Sequence, residues 1–564
     1  VPPCRSAPLI PEILLKLNTT PRIHASLLIL GASVFLLAAY NGNFWRTFFS
    51  ATGGLGLAHL PLHVGSFLLL VLLFNACLNL VNFRFIVKPL LVVLFMATSA
   101  TYYFMNEYGT AIDKSMIQNL LETDVHEALE LLNWKLLLTI TLLGILPSLL
   151  VWRAQVQFCA GKRGLALQGA NIAGSLLAAA ILLILFFKSL APALREHREL
   201  RYLLAPTNYI QAINGYVKQQ RAKALVVAPL GMDATKRASA SGNNARSVTL
   251  IVVGETARAA NFSLNGYARL TNPELAKQPD LLNFSKVESC GTATAVSVPC
   301  VFSSLGREHY ADDKAYSQQG LLDVLSHAGF GVLWRDNNSG CKGTCDRVEY
   351  EDLSKPGPDQ QAGNKWCVDD ECYDERLLEG LPELIRKARK DLVIVLHQKG
   401  SHGPAYWKRA PAAFQRFGPV CRTNQLESCS RESIVAAYDN SILYTDHFLN
   451  QAIELLKASA EKEHLNTAML YFSDHGESLG EHNMYLHGAP YVISPAEQRE
   501  VPFMLWLSEG FRSRFHIDQR CLAARTGQAF SHDNVFHSVL GMHRIGTAVY
   551  NPGLDIFGPC THEA

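Results

Sequence analysis

The sequence predicts a two-part protein: an α-helical membrane domain of five spans, then an α/β domain whose helices cover a mostly parallel sheet. Three observations carry this. Five long apolar runs lie within the first 190 residues, apolar β-rich runs alternate with helix-compatible stretches after residue 247, and ten of the 13 cysteines fall between Cys290 and Cys560. At 564 residues the chain is too long for one ordinary domain, and 49 % apolar content suits partial residence in lipid. The formal charge is only +2, and no lysine or arginine block stands out, so no nucleic-acid partner is expected.

The apolar runs are about 23–41, 64–82, 86–105, 136–152 and 169–190. Each is near the roughly 20 residues that a bilayer core demands, and each must be a helix because lipid offers the backbone no hydrogen-bond partner. Arg5, Lys16, Arg22, Arg84, Lys88, Arg153, Lys162 and Arg163 fall on one side of the expected spans, against Arg46, Lys114 and Lys135 on the other. This bias puts the N-terminus in the cytoplasm and everything after residue 190 outside. The domains expected are therefore 1–190 in the membrane, 191–247 as a bridging amphipathic helix and linker, and 248–564 as an external domain. The amphipathic helix is read from Leu203, Leu204, Tyr209, Ile210, Ile213, Tyr216 and Val217, and the linker from the polar stretch 230–247. Between the third and fourth spans, Asn119, Thr123 and Glu127 recur at i, i+4 and i+8, so a helix would stack them on one face. The stripe suits either a lipid headgroup or solvent.

Cys290/Cys300, Cys341/Cys345, Cys367/Cys372 and Cys421/Cys429 form close pairs, none with the linked CxxC spacing of structural zinc. A disulfide framework in an oxidising compartment fits them, in agreement with the charge bias. Cys521 and Cys560 are a possible fifth pair, and Cys4, Cys77 and Cys159 are expected to be unpaired.

In the second half, Val248–Val253, Gly331–Trp334, Leu392–Leu396 and Met469–Phe472 read as buried strands, with a long helical stretch over 432–457. Ligands of such sheets gather beyond the carboxyl ends of the strands. There lie Glu255, Lys342, His402 and the Asp474-His475 pair. Four runs are dense in groups that bind metal or phosphate: Gly254-Glu255-Thr256, Cys290-Gly291-Thr292-Ala293-Thr294, Ser473-Asp474-His475-Gly476-Glu477 and Tyr485-Leu486-His487-Gly488. Carboxylate and imidazole ligands suit zinc, although a lone Asp-His pair or threonine is ordinarily structural.

These runs, with Gly254-Glu255-Thr256-Ala257-Arg258, Asn261-Phe262-Ser263-Leu264-Asn265-Gly266-Tyr267 and Ser297-Val298-Pro299-Cys300, resemble the lipid A phosphoethanolamine transferases, which include chromosomal and mobile colistin-resistance enzymes. The resemblance spans nearly the whole chain. It implies an α/β/α alkaline-phosphatase-like (sulfatase-like) periplasmic domain on a five-span anchor in a bacterial inner membrane. It further implies Zn²⁺ held by Glu255, Thr294, Asp474 and His475, with Thr294 rather than Thr292 as nucleophile. Lys342, His402 and His487 match family positions for substrate binding or proton transfer, and Asn338, Ser339 and Glu477 would line the same pocket. Asn119, Thr123 and Glu127 match the family's site for the donor headgroup. A second zinc at His402, His487 or His482 is possible. The implied reaction is ping-pong: Thr294 takes phosphoethanolamine from phosphatidylethanolamine, and a phosphate of lipid A then takes it from Thr294, giving polymyxin resistance. A monomer is expected. An arylsulfatase would carry a Cys/Ser-x-Pro-x-Arg run, and none surrounds Thr294.

Overall fold

The computed structural model describes residues 22–110, 112, 114–122, 131–159, 161–197, 200–222, 227–237, 245–356, 365–368 and 371–561. Internal contacts divide the chain into two bodies, Val1–Asp113 with Leu132–Ile213, and Lys114–Leu131 with Asn214–Ala564.

The first body contains helices α1 (Ala25–Ala39), α2 (Gly42–Ala51), α3 (Leu60–Leu80), α4 (Val87–Glu107), α6 (Trp134–Arg153) and α7 (Gly161–Glu196). By length and composition α3, α4, α6 and the Gly161–Phe187 part of α7 can each cross a membrane, and α1 with α2, bent by 68°, pass the same test only as a pair, which is either a broken span or a re-entrant loop. The bend lies at Asn41, whose side chain donates to Leu36 O (2.9 Å) and Ala205 O (3.0 Å) and accepts from Ala205 N (2.8 Å). Backbone freed by the break is thereby satisfied inside protein rather than in lipid. Between α3 and α7 runs an amide ladder. Asn75 Nδ2 donates to Asn171 Oδ1 (2.8 Å) and Ser175 Oγ (2.9 Å), Asn79 Nδ2 to Asn75 Oδ1 (3.1 Å), and Asn82 Nδ2 to Asn79 Oδ1 (3.1 Å). Gly65 lets the same two helices close up, since a Cβ there would collide with the Phe186 ring.

Cys77 is free, but Cys159 is disulfide-bonded, which corrects the expectation that both are unpaired. The short strand Arg22–His24 pairs in parallel with Gln155–Gln157. That pairing draws the segment before α1 alongside residues 155–159, a proximity that span prediction does not contain.

In the second body seven strands form one sheet: β1 (Ser247–Gly254), β2 (Leu282–Phe284), β3 (Gly331–Asp336), β4 (Glu349–Asp352), β5 (Leu392–His397), β6 (Asn466–Ser473) and β7 (Phe503–Leu507). Their order is β2-β7-β6-β1-β5-β3-β4, and only β7 runs antiparallel to its neighbours. The central strands are buried on both faces, hence their unbroken apolar runs. Alternate side chains enter opposite cores. Ile251, Val253, Val393 and Val395 join one with Phe302 and Trp334, while Leu250, Val252, Ile394 and Leu396 join the other with Ile442, Phe448 and Leu449. The last three belong to α10 (Arg431–Glu463), which is capped by the Ser430 side chain and ends at His464 in a left-handed conformation (φ 51°). Five disulfides pair Cys290 with Cys300, Cys341 with Cys345, Cys367 with Cys372, Cys421 with Cys429, and Cys521 with Cys560.

Two segments depart from their expected places. Helix α5 (Lys114–Glu122), drawn from the loop between spans, groups with the second body and packs on α9 (Thr294–Val301). Helix α8 (Thr207–Ala222) covers the expected amphipathic stretch. Beyond it, residues 230–237 of the expected linker are built into the second body, because Leu230 and Ala234 enter its core and Thr235–Lys236 pair with Ile545–Gly546. The rest of that linker falls largely outside the described residues.

Candidate active site

Register alone gathers the polar groups. Gly254 of β1 lies opposite Ser473 of β6, and His397 of β5 lies opposite Val253 and Asp336, so the carboxyl ends of β1, β3, β5 and β6 are level. Glu255 and Asp474 extend two of these ends, and Asp336 and His397 close the other two. Thr294 begins α9, with its backbone at the positive end of the helix dipole.

Ligand-type atoms of four residues converge. Thr294 Oγ1 is 3.1 Å from Glu255 Oε2 and 3.3 Å from His475 Nε2. His475 Nε2 is 3.4 Å from both Glu255 Oε1 and Asp474 Oδ2. Ligands of a tetrahedral ion at about 2.0–2.1 Å stand roughly 3.3–3.4 Å apart, so the spacing suits one small divalent cation. The surrounding bonds point the same way. His475 Nδ1 is 2.9 Å from Gly476 O, which leaves Nε2 with its lone pair toward the site. Asp474 Oδ1 accepts from His475 N (2.7 Å) and Thr256 N (3.2 Å), whereas its buried Oδ2 has no hydrogen-bond partner among the described residues. Considering carboxylates and imidazoles alone, Glu255, His475 and His487 also bring ligand atoms within 4.8 Å of one another. The set with Thr294 and Asp474 accounts for the unpartnered Oδ2, and His487 is oriented by Glu477 Oε2, 2.9 Å from its Nδ1.

Charge balance agrees. Burial first, then the neighbouring Asp474, push Glu255 up to about 8, and burial pushes Asp474 up to about 7. Burial, aided by His487, pushes His475 down to about 4. Two buried carboxyls facing a neutral imidazole are a site that a cation completes. Thr256 beside it holds φ 51°, rare for a β-branched residue and a mark of local backbone strain. Gly400 (φ 55°) packs so close that a Cβ would lie 2.6 Å from Glu255 O.

The other expected residues divide. Asn338 reaches the cluster, its Nδ2 donating to Glu255 Oε2 (2.7 Å) and Gln398 O (2.9 Å). Ser339 and Lys342 stand beside it, with Lys342 Nζ donating to Ser339 O (2.9 Å) and Oγ (3.0 Å). The His402 ring lies 5.2 Å from that of His487, which lies 4.4 Å from that of His475. Glu477 is buried, accepts from Tyr406 OH (2.7 Å), and is pushed up to about 8 by that burial. His482 is exposed on the turn Glu481–Asn483. Asn119 belongs to α5, and Thr123 and Glu127 lie outside the described residues. Thr292 is occupied elsewhere, donating to Ala489 O (2.6 Å).

Sequence reading missed the groups beneath Glu255. His397 Nδ1 is 3.0 Å from Asp336 Oδ2, which also accepts from Trp334 Nε1 (2.7 Å), and Asn338 Nδ2 is 3.4 Å from His397 Nε2. Burial opposes charge on His397, but the Asp336 carboxylate prevails and raises it. A polar residue ending each of two adjacent apolar runs was the available signal.

Comparison with known proteins places the chain in a family. A family model described as phosphoethanolamine transferase EptA/EptB matches residues 70–221, and a sulfatase model matches residues 247–545. The phosphoethanolamine transferase EptA of Escherichia coli K12 is 42 % identical over 86 % of this chain and 88 % of its own. The chain belongs to the phosphoethanolamine transferase family. Within that family it is also similar to the phosphatidylethanolamine transferase Mcr-1 of Escherichia coli, 39 % identical over 77 % of this chain and 82 % of the relative. The integral membrane lipooligosaccharide phosphoethanolamine transferase A of Neisseria meningitidis superposes with a TM-score of 0.90 at 34 % identity, covering 96 % of this chain and all of that one. Membership thus extends over both bodies, and the α/β/α body has the fold of the sulfatase-like superfamily.

Proposed function

We propose that this chain transfers phosphoethanolamine from phosphatidylethanolamine to a phosphate of lipid A, at the outer face of a bacterial inner membrane, through a covalent Thr294 intermediate. The convergence of Thr294 Oγ1, Glu255, Asp474 Oδ2 and His475 Nε2 carries the reading. Two oxygen-donor carboxylates, an imidazole and a hydroxyl suit zinc, which when bound lowers the pKa of a hydroxyl and neutralises charge on a phosphoryl oxygen. Everything else falls to the chain's own groups.

Thr294 Oγ1 gives its proton to Glu255 Oε2, to which it donates at 3.1 Å, and attacks the phosphorus of the donor in line. The bond to diacylglycerol breaks, its oxygen takes a proton, and phosphoethanolamine remains on Thr294. A phosphate oxygen of lipid A then attacks the same phosphorus, the bond to Thr294 breaks, and Oγ1 recovers its proton from Glu255. Asn338 holds Glu255 in place. His487, set by Glu477, and His402 beside it are positioned to give a proton to the departing diacylglycerol oxygen. Lys342 and Ser339 supply donors for the transferred group. The occupied hydroxyl of Thr292 supports Thr294 as nucleophile. Adding ethanolamine ammonium groups lowers the negative charge that cationic peptides such as colistin recognise.

Expression in a polymyxin-sensitive Gram-negative strain should add phosphoethanolamine to lipid A by mass spectrometry, and Thr294→Ala should abolish it. Unmodified lipid A beside a modified core sugar would refute the acceptor assignment. Transfer that survives rigorous chelation would refute the metal.

A further inference from the structure

His487 lies close enough to the ligand cluster to serve the reaction, since one of its ring nitrogens is within 4.8 Å of ligand atoms on Glu255 and His475. It follows the hairpin of Ser478–Leu479 with Tyr485–Leu486, and Leu486 just before it holds φ 65°, rare for a residue with a side chain. Backbone of that kind persists only where neighbouring groups fix it. Glu477 fixes the ring that follows. Its Oε2 lies 2.9 Å from His487 Nδ1, which turns Nε2 to the opposite side of the imidazole.

Glu477 is in turn held at its other oxygen. Tyr406 OH donates to Oε1 at 2.7 Å, and both side chains are buried. The carboxylate therefore cannot rotate without losing a partner, in a place where water does not reach to replace it. The phenol is fixed as well. Its ring meets that of Tyr438 edge-on (5.5 Å, 85°), and Tyr438 OH donates to Thr256 O (2.6 Å), one residue beyond Glu255. Gly403 leaves the room: a Cβ there would lie 2.7 Å from Tyr406 OH and 2.8 Å from Leu486 Cδ2. A chain of packed side chains thus runs from Tyr438, beside one metal-ligand loop, through Tyr406 and Glu477 to His487. In Tyr406 the ring does the packing, and the hydroxyl is committed to Glu477.

We infer that Tyr406 is a positioning residue for protonation of the leaving group: it holds Glu477, and through it His487, at the angle from which the imidazole delivers a proton to the diacylglycerol oxygen. The inference rests on the phosphoryl-transfer reading of Thr294, with His487 as proton donor. In the loading step the bond from Thr294 Oγ1 to phosphorus forms. The bond from phosphorus to the glycerol oxygen breaks, its electron pair stays on that oxygen, and the oxygen takes the proton of His487 Nε2. The acceptor phosphate, attacking as its monoanion, returns a proton to His487 in the second step. Tyr406 keeps its own proton throughout and acts through Glu477 alone.

The test uses the full zinc-loaded chain in detergent and single-turnover loading of Thr294 without acceptor, read by intact mass spectrometry. Two donors are compared. Phosphatidylethanolamine releases an alkoxide that needs a proton, whereas 4-nitrophenyl phosphoethanolamine releases a phenolate that does not. Tyr406→Phe keeps the ring and removes the hydroxyl. It should slow loading from phosphatidylethanolamine by about tenfold or more and loading from the nitrophenyl donor by less than about twofold, with zinc content unchanged. Combined with His487→Ala, it should slow loading from phosphatidylethanolamine no further than His487→Ala alone. Where the wild type refuses the soluble donor, the double variant decides alone. Equal slowing with both donors, losses that multiply in the double variant, or an unchanged rate from phosphatidylethanolamine make Tyr406 a core residue and overturn the inference while the transferase reading stands. Zinc lost from Tyr406→Phe makes the chain a support for the metal and overturns it likewise. A wild type that loads Thr294 from neither donor overturns the underlying reading, and the inference with it.

Discussion

At the level of single residues, Glu255, the proposed metal ligand, is held from several sides. Asn338 donates to its Oε2, Gly400 is pressed against its backbone, and the buried Asp336–His397 pair lies beneath. Outer partners of this kind tune metal affinity as well as orientation. Asn338→Ala should weaken metal binding by about 10–100-fold in chelator competition, with the fold and circular dichroism unchanged. An unaltered affinity would show that Asn338 serves substrate alone. Glu255, Asp474 and His475 were legible because each ends or follows an apolar run in a motif dense with ligand types. Asp336 and His397 were not, since a single polar residue at the end of a run is ordinary until β3 and β5 are known to be neighbours in register.

Single elements show why pattern and placement are separate questions. The apolar runs revealed the crossing helices, yet the break at Asn41 and the early start of α7 at Gly161 depend on tertiary partners that hydropathy does not contain. The same holds for the asparagines of α3. In sequence they are isolated amides in an apolar segment, and in the fold they form a ladder across to α7. Hydrogen bonds between helices in lipid contribute about 0.6–1 kcal/mol each. Asn75→Leu and Asn171→Leu should each lower resistance to thermal unfolding in detergent. Their double-mutant cycle should show a coupling of about 1 kcal/mol, and strict additivity would refute the ladder as a joint unit.

For the molecule as a whole, the second body is tied at its base as well as at its site. Asp391, just before β5, accepts from Lys236 Nζ (2.6 Å), Arg514 Nη1 (3.0 Å) and Nη2 (3.2 Å), and Ser247 N (2.7 Å), so one carboxylate joins segments from both ends of that body. Burial works against its charge, but the bonds to Arg514 and Lys236 prevail and hold it well below the usual carboxylate range. A depressed folded pKa contributes stability that is fully present above the unfolded value near 4 and is lost as pH falls toward the folded one. Acid unfolding of Asp391→Asn should therefore begin from a baseline lower by about 3 kcal/mol at pH 7, with the difference shrinking below about pH 4. A constant difference across that range would refute the assignment. Lys236 belongs to a stretch whose composition reads as linker, which is why this tie was invisible before the fold was known.

The five disulfides of this body have one more consequence. Their partners are separated by 10, 4, 5, 8 and 39 residues, and each cysteine bonds the next one along the chain, so no loop encloses another. A polypeptide emerging N-terminus first can therefore be oxidised in strict order of appearance and arrive at the native set without any bond being undone. Maturation should then depend on a thiol oxidase and be indifferent to a disulfide isomerase, and only the last bond must wait for the final stretch of chain to arrive.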